Sequence, residues 1–170
     1  MNYSRNELIK TEATMNQMRN SLYNLVRFME KNGIKNSTEA FRRMGRNIAR
    51  TYINYWKPTD FIEISNLKDV ITTIYKNVLN STISIEINNT EKLVIIKDNN
   101  CALCKYHYDD VEIAGCEVLL GMISEFIYLI NKESTEPNSI SLDPIEVKES
   151  RTNGNKSCLQ HFRYKISGGA

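Results

Sequence analysis

The stretch from Ile113 to Asn131 constrains the fold more than any other part of the sequence. It is apolar nearly all round, and only Glu117, Ser124 and Glu125 interrupt the run. A helix that is hydrophobic on every side has to be enclosed by other elements of its domain. Because two charges fall inside the run, crossing a membrane would be too costly. We therefore predict that this segment is the central helix of a soluble protein.

Three segments before this stretch carry apolar residues at helical spacing. The first predicts a helix over about residues 6–32 that ends at Gly33, where a left-handed residue terminates helices well. The second predicts a helix from the capping pair Asn36 and Glu39 to Pro58. The third helix begins after Ser65 or Asn66.

The period of the pattern then changes from 3.6 to 2. The runs TISIEIN and KLVIIK alternate like strands around a turn at Asn88-Asn89. After the central helix, SLDPIEVKE and CLQHFRYKI predict a second hairpin that turns at Asn153-Gly154. Pro144 within the third strand indicates an edge strand or a bulge.

The predicted element order is ααα-ββ-α-ββ. Strands that come as two hairpins, without βαβ crossovers, favour an α+β domain in which helices pack on a small four-stranded antiparallel sheet. A chain of 170 residues has room for one such core. We expect a single domain over residues 1–166 and a flexible tail over residues 167–170.

Charge and the amino terminus limit the class of function. Lys and Arg number 22 against 20 Asp and Glu, a net charge of +2, and no recognition signature accompanies them. The sequence therefore favours a protein that does not bind nucleic acid. The first residues, MNYSRNELIK, contain no apolar signal segment, so we expect a reducing, cytoplasmic location in which cysteines stay free of disulfides.

Two stretches carry a resemblance to known families. The segment FRRMGRNIARTYINYW, followed by DFIEISNLKDVITTIYKNVL, resembles the small Bet-type subunits of the TRAPP vesicle-tethering complex, which carry a Met-Gly-x-Asn-Ile helix at this place. The segments CALCKYHYDDVEIAGCEVLLGMISEFIYLI and IEVKESRTNGNKSCLQHFRYKI are similar to the 4-vinyl reductase domain of archaeal and bacterial proteins. One branch of the TRAPP subunits accepts a lipid on a cysteine after the second helix, but Trp56-Lys57-Pro58 stand there in this chain.

The resemblance implies a TRAPP-like fold and a tethering scaffold without catalytic residues. It also implies pairing with a like subunit, either a second copy or a paralogous TRAPP-like chain, through the first two helices. A small GTPase or an anionic membrane surface would be further partners, at the periphery of membranes.

The residues of the second helix favour pairing as well. Helices 1 and 2 carry more apolar side chains than one small sheet can cover, and two small residues four positions apart would let a partner approach closely. The expected dimer interface comprises Phe41, Met44, Gly45, Ile48, Ala49 and Tyr52.

Basic residues form a stripe on the same helix. Arg42, Arg46 and Arg50 recur every four residues opposite the apolar face. One interpretation is contact with anionic lipid headgroups or with an acidic partner, and the other is an ordinary solvated face.

Cysteine and histidine spacing suggests a metal site. Cys101 and Cys104 form a C-x-x-C pair, and Cys158 and His161 form a C-x-x-H pair. Such pairs can supply the four ligands of a structural zinc ion, provided that strand 2 lies antiparallel to strand 4 so that their ends meet. The alternative is that these cysteines are small buried hydrophobic residues. Cys116 is expected to be an inert thiol within the central helix.

A different class of function remains open beside the scaffold. A sensor domain of the 4-vinyl reductase type would hold an apolar small molecule or lipid between the central helix and the sheet. Its pocket would be lined by Leu120, Ile123, Phe126 and Ile127, which are ordinary core residues otherwise. The sequence contains no recognisable nucleophile–base pair, phosphate-binding loop or dinucleotide fingerprint, so an enzyme is not expected.

Overall fold

A computed structural model describes residues 4–132 and 138–167 of the chain. Apart from Ser167, the predicted tail at residues 167–170 lies outside the described residues. The described elements follow the predicted order, with four helices and four strands. Within these residues, no helix is long and apolar enough to span a bilayer.

Helices occupy the first half of the chain. Helix α1 covers Arg5–Lys31 and begins with a capping box in which the Ser4 hydroxyl accepts from the Glu7 amide while the Glu7 carboxylate accepts from the Ser4 amide. Gly33 follows α1 with a φ of +61°, as the sequence predicted for a helix terminator. Helix α2 covers Ser37–Tyr52, and α3 covers Leu67–Leu79.

Two details of α2 differ from the sequence prediction. Asn36 precedes the helix in a left-handed conformation with a φ of 65°, and its side chain caps no backbone amide. The helix also ends at Tyr52 rather than continuing to Pro58, so Tyr55 lies in a turn and is 85% exposed. A proline disfavours helical geometry in the preceding residue, and here the chain leaves the helix several residues earlier.

The strands form one antiparallel sheet in the order β1-β2-β4-β3. Strands β1 (Ile83–Asn88) and β2 (Leu93–Asp98) are joined by a loop of four residues, longer than the predicted two-residue turn at Asn88-Asn89. Strands β3 (Ile140–Glu149) and β4 (Cys158–Ile166) form the second hairpin. The register of β3 against β4 shifts after Pro144, which confirms the predicted bulge.

Helix α4 covers Glu117–Asn131 and is the most enclosed helix, as predicted. It lies between α2 and β3. Its side chains, including the polar Ser124 and Glu125, are buried along nearly the whole length. The side chain of Asn131, at the end of α4, accepts a hydrogen bond from the Ile62 amide at 2.9 Å and donates one to the Ile140 carbonyl at 2.8 Å. It thereby links the end of the helix to both of these segments.

The helices α2 and α4 cross at two glycines. A Cβ atom added to Gly45 would lie 1.9 Å from the Val118 carbonyl oxygen, and one added to Gly121 would lie 1.9 Å from the Arg42 carbonyl oxygen. The two backbones therefore touch directly at this crossing. Any larger side chain at either position would have to push the helices apart.

Candidate functional site

Three cysteine sulfurs meet in the core at the end of the sheet. The Sγ atoms of Cys101, Cys104 and Cys158 all lie within 4.8 Å of one another, and each residue is at most 1% exposed. Cys116 is also fully buried, and its sulfur lies outside that mutual distance but contacts the same group through Ser150. We call these four residues the cysteine cluster.

Strand pairing explains how residues more than 50 positions apart come together. Asp98 at the end of β2 lies opposite Cys158 at the start of β4. The chain leaves β2 at that point, so Cys101 and Cys104 follow directly beside the first residue of β4. This is the antiparallel arrangement that the sequence analysis required for C-x-x-C to meet Cys158, and the structure confirms it.

Hydroxyl and amide groups surround the sulfurs. The Ser150 Oγ atom lies 3.9 Å from Cys116 Sγ and 3.8 Å from Cys158 Sγ, so it bridges the two thiols. The Arg151 amide donates to Cys158 Sγ at 3.5 Å. The Tyr23 hydroxyl lies 3.6 Å from Cys104 Sγ. Two separate parts of the chain, helix α1 and the turn between β3 and β4, thus supply polar contacts to the cluster.

Tyr23 connects helix α1 to this region. Its hydroxyl donates to the Leu103 carbonyl at 2.9 Å, shares a 2.6 Å contact with Thr152 Oγ1, and accepts from the Gly115 amide at 3.2 Å. Burial raises the pKa of Tyr23 far above its usual range, so the phenol stays neutral. Nearby, Arg19 Nε donates to the Ala102 carbonyl at 2.7 Å. Helix α1 is therefore anchored on the loop that carries the first two cysteines.

The thiols perturb one another's ionisation. Burial opposes ionisation of Cys104, but hydrogen bonds from the thiols of Cys101, Cys116 and Cys158 outweigh it and hold the pKa of Cys104 well below its usual range. Hydrogen bonding to Cys104 raises the pKa of Cys101, and hydrogen bonding to Cys101 raises the pKa of Cys116. The surroundings therefore favour the thiolate form at Cys104 and oppose it at Cys101 and Cys116.

His161, the fourth ligand expected from the sequence, lies elsewhere. Side chains on β4 alternate between faces, and Cys158, Gln160 and Phe162 point into the core whereas His161 points to the other face. Its Nδ1 atom lies 3.7 Å from a carboxylate oxygen of Glu146 on β3. Because side chains alternate along a strand, Cys158 and His161, three positions apart, lie on opposite faces of the sheet. The prediction that His161 joins the three cysteines as a ligand is therefore wrong.

Cys116, which the sequence analysis left outside the metal site, lies beside the other three cysteines. It was expected inside the central helix, but α4 begins only at Glu117 and Cys116 occupies the N-cap position. At the end of a helix a side chain can turn toward the preceding loop, and here it turns toward Ser150. The sequence analysis placed the start of the central helix before Cys116, whereas α4 starts after it.

Helices α1 and α2 expose a continuous apolar surface. A groove of about 390 Å³ runs between them and is lined by Met18, Leu25, Met44 and Ile48 among others. A second, shallower depression continues from Met44 and Ile48 along α2 to Tyr52. These five residues define the α1–α2 surface.

Only half of the predicted dimer interface belongs to this surface. Met44, Ile48 and Tyr52 line it, whereas Phe41 and Ala49 are fully buried and Gly45 is pressed against α4. The structure therefore corrects the prediction for these three residues. They face the inside because α2 has to cover the apolar α4, and the small residues at positions 45 and 49 permit that internal approach.

The predicted basic stripe is neutralised by internal partners. Arg42 Nε lies 2.7 Å from Glu117 and its other nitrogens donate to the Pro144 and Ile145 carbonyls, which ties α2 to α4 and β3. Arg50 pairs with Glu125 at 2.7 Å, and Arg46 pairs with Glu39.

These three arginines therefore pair with acidic side chains of the same chain, and their contact with a membrane or an acidic partner stays a prediction. Glu117 and Glu125 on α4 are the partners of Arg42 and Arg50. In the sequence these two glutamates were visible only as interruptions of an apolar run.

The residues expected to line a ligand pocket belong to the core. Leu120, Ile123, Phe126 and Ile127 each have no exposed surface. Phe126 packs edge-on against Tyr52 and Trp56 in an aromatic group with ring centroids 6.2–6.4 Å apart. Among the described residues, these side chains fill the space between α4 and its neighbours.

Comparison with solved structures shows the fold. A crystal structure titled as trafficking protein particle complex subunit 3 from Naegleria fowleri, covalently bound to palmitic acid, matches with a TM-score of 0.63. The match covers 91% of this chain and 96% of that chain, at 13% sequence identity. The TRAPP-like α+β fold expected from the sequence is therefore confirmed.

Comparisons of the sequence with family profiles and with curated proteins found no relative. The relation to the 4-vinyl reductase domain, for which none of these comparisons gives support, stays a prediction.

Proposed function

We propose that this protein is a non-catalytic scaffold subunit that pairs with a second copy of itself through the α1–α2 surface. The shared fold with a subunit of a trafficking complex supports this proposal at the level of architecture. The observation that carries it is the continuous apolar groove between two helices. In such an assembly the protein acts in the cytoplasm, at the periphery of membranes.

The exposure of the side chains supports an interface. Met18 is 51% exposed, Leu25 38% and Ile48 37%, and Phe28, on the same side of α1, is 58% exposed. Burying a large apolar side chain completely stabilises by about 1.5–3 kcal/mol, so covering these half-exposed residues in both protomers supplies several kcal/mol. Isolated exposed hydrophobic residues are common on proteins, but residues that line one groove together indicate a partner.

The surroundings of the groove also fit a protein partner. Thr14, Gln17 and Ser21 border it on α1, and Arg43, Asn47 and Thr51 border the adjoining depression on α2. An apolar centre inside a polar rim is the usual anatomy of an interface. The described residues expose 10205 Å², and a standard interface takes roughly a tenth of a small protein's surface, an area that two helices can provide.

The oligomeric state of the purified full-length chain tests the proposal. Light scattering coupled to size-exclusion chromatography should give twice 19.7 kDa at micromolar concentration. The double variant Met18→Glu and Ile48→Glu should elute as a monomer while retaining its circular dichroism spectrum, because a charge in the groove has to be desolvated only when the partner binds. Tyr128→Glu is the matched control, since Tyr128 is 50% exposed but lies on α4.

Three results would contradict the proposal. A wild-type chain that stays monomeric at micromolar concentration removes it, and so does a double variant that remains dimeric. A fatty acid that co-purifies with the wild-type chain and is lost from the double variant would instead show that the groove binds lipid, at a place other than the pocket between the central helix and the sheet that the sequence suggested.

A further inference from the structure

We infer that Cys101, Cys104, Cys116 and Cys158 hold one zinc ion in an all-thiolate, closed site. This inference is independent of pairing through the α1–α2 surface. Four protein ligands leave no open coordination position, so the ion is structural.

The donor set and the spacing fit tetrahedral zinc. Zinc–sulfur bonds of about 2.3 Å place the sulfurs of a tetrahedron about 3.8 Å apart. Three of the sulfurs already lie within 4.8 Å of one another, and Cys116 contacts the same group through Ser150. Coordination requires a small contraction of the first three sulfurs and a side-chain movement of Cys116 toward them.

Cys101, Cys104 and Cys116 lie in a long loop that has no secondary structure to stabilise it. Residues 99–116 contain no helix or strand, yet Cys101, Leu103, Cys104, Val111 and Ala114 are buried within this stretch. A loop of this length without secondary structure is uncommon inside a compact domain. One ion bound by Cys101, Cys104, Cys116 and Cys158 would join this loop to the start of α4 and the start of β4.

The surroundings are suited to a negatively charged centre. Zinc bound by four thiolates carries a net charge of −2, which donors to sulfur stabilise. The Arg151 amide, the Ser150 hydroxyl and the Tyr23 hydroxyl all contact the sulfurs.

Binding exchanges protons for the ion. One Zn²⁺ combines with the four cysteines to give the ZnS₄²⁻ centre, and the protons carried by the free thiols leave to solvent. No oxidation or reduction takes place. Because α1 is anchored on the same loop through Tyr23 and Arg19, removal of zinc should loosen both the loop and the adjoining part of α1.

Metal content of the full chain, purified without chelators, is the primary measurement. We expect one zinc per chain by elemental mass spectrometry, retained through desalting. Cys116→Ser should lower the affinity for zinc by more than about 100-fold, beyond the 10–100-fold that loss of an outer contact to a ligand usually costs. His161→Ala is the matched control and should keep the full zinc content, since its side chain points to the opposite face of the sheet.

Cobalt substitution covers the case in which Cys116→Ser does not fold. Wild-type chain refolded with Co²⁺ alone should show the intense thiolate charge-transfer and visible bands of a tetrahedral site with four sulfurs. Bands of a site with three sulfurs and one nitrogen or oxygen would overturn the assignment of Cys116.

The zinc site itself fails under any of three outcomes. These are a folded wild-type chain that contains no metal and acquires none from Zn²⁺ under reducing conditions, zinc that is lost on desalting, and iron bound in place of zinc. Loss of zinc from His161→Ala with retention in Cys116→Ser would restore the ligand set that the sequence first indicated.

Discussion

Replacement of Gly45 by alanine distinguishes the two roles that this glycine has been given. The sequence placed it in a dimer interface, whereas the structure places it against α4, where an added Cβ atom would lie 1.9 Å from the Val118 carbonyl oxygen and 2.7 Å from the Met122 amide nitrogen. Real Cβ contacts stay beyond 3.0 Å, so the added methyl group is about 1.1 Å too close. The opposing atoms are backbone and cannot rotate away.

The net effect is the difference between two terms of opposite sign. Glycine to alanine inside a helix stabilises by about 1 kcal/mol through helix propensity. Overpacking costs about 1–3 kcal/mol, and more when side chains cannot absorb the strain. Because the opposing atoms are backbone, we take the overpacking cost at the upper end, about 3 kcal/mol, and after the gain of about 1 kcal/mol we expect the free energy of unfolding to fall by about 2 kcal/mol. At this chain length that corresponds to a melting temperature lower by roughly 4–8 °C.

Urea unfolding followed by circular dichroism measures the effect at fixed protein concentration. Asn77→Ala provides the control, since Asn77 is exposed on α3, away from the α1–α2 surface, and its replacement should stabilise by about 0.5 kcal/mol. An unfolding midpoint of Gly45→Ala equal to or above that of the wild type would refute the packing argument. A variant that becomes monomeric with an unchanged midpoint would return Gly45 to the interface.

Three further changes test the contacts described above. Arg42→Ala should destabilise the protein by about 3–5 kcal/mol because it leaves the Glu117 carboxylate, which is 10% exposed, without its partner. Arg46→Ala removes a more exposed ion pair and should cost at most about 1 kcal/mol. Comparison of the urea midpoints of the two variants measures the difference. Tyr23→Phe should cost about 1–3 kcal/mol in the same assay, since a buried carbonyl loses its donor, and an unchanged midpoint would contradict the anchoring of α1.

Replacement of His107 tests how the stability of the folded protein depends on pH. Hydrogen bonding to the Thr152 carbonyl, with further support from Asp109, raises the pKa of His107 above its ordinary 6.5, so its stabilising effect is complete below pH 6.5 and disappears as pH rises through the higher folded value. An NMR titration measures that pKa, and His107→Gln should remove the corresponding pH dependence; a titration midpoint at or below 6.5 would contradict it.

Much of the architecture was available from periodicity. The run from Ile113 to Asn131 required an enclosed helix, and the change of period after residue 80 required two hairpins. The position of Cys101 after β2 and of Cys158 at the start of β4 allowed these thiols to meet, on the condition that the two strands pair antiparallel. These inferences succeeded because they depend on local spacing, which the chain fixes before it folds.

The choice of partner for each side chain was decided by the tertiary structure. Whether Gly45 and Phe41 face a second molecule or α4 depends on how α2 is rotated about its axis, and the sequence pattern alone does not specify that rotation. The same holds for Arg42, whose acidic partner lies 75 residues away on another helix. At the cysteine cluster, strand alternation turned His161 away from the sulfurs, and the start of α4 at Glu117 left Cys116 at the N-cap, where its side chain faces Ser150.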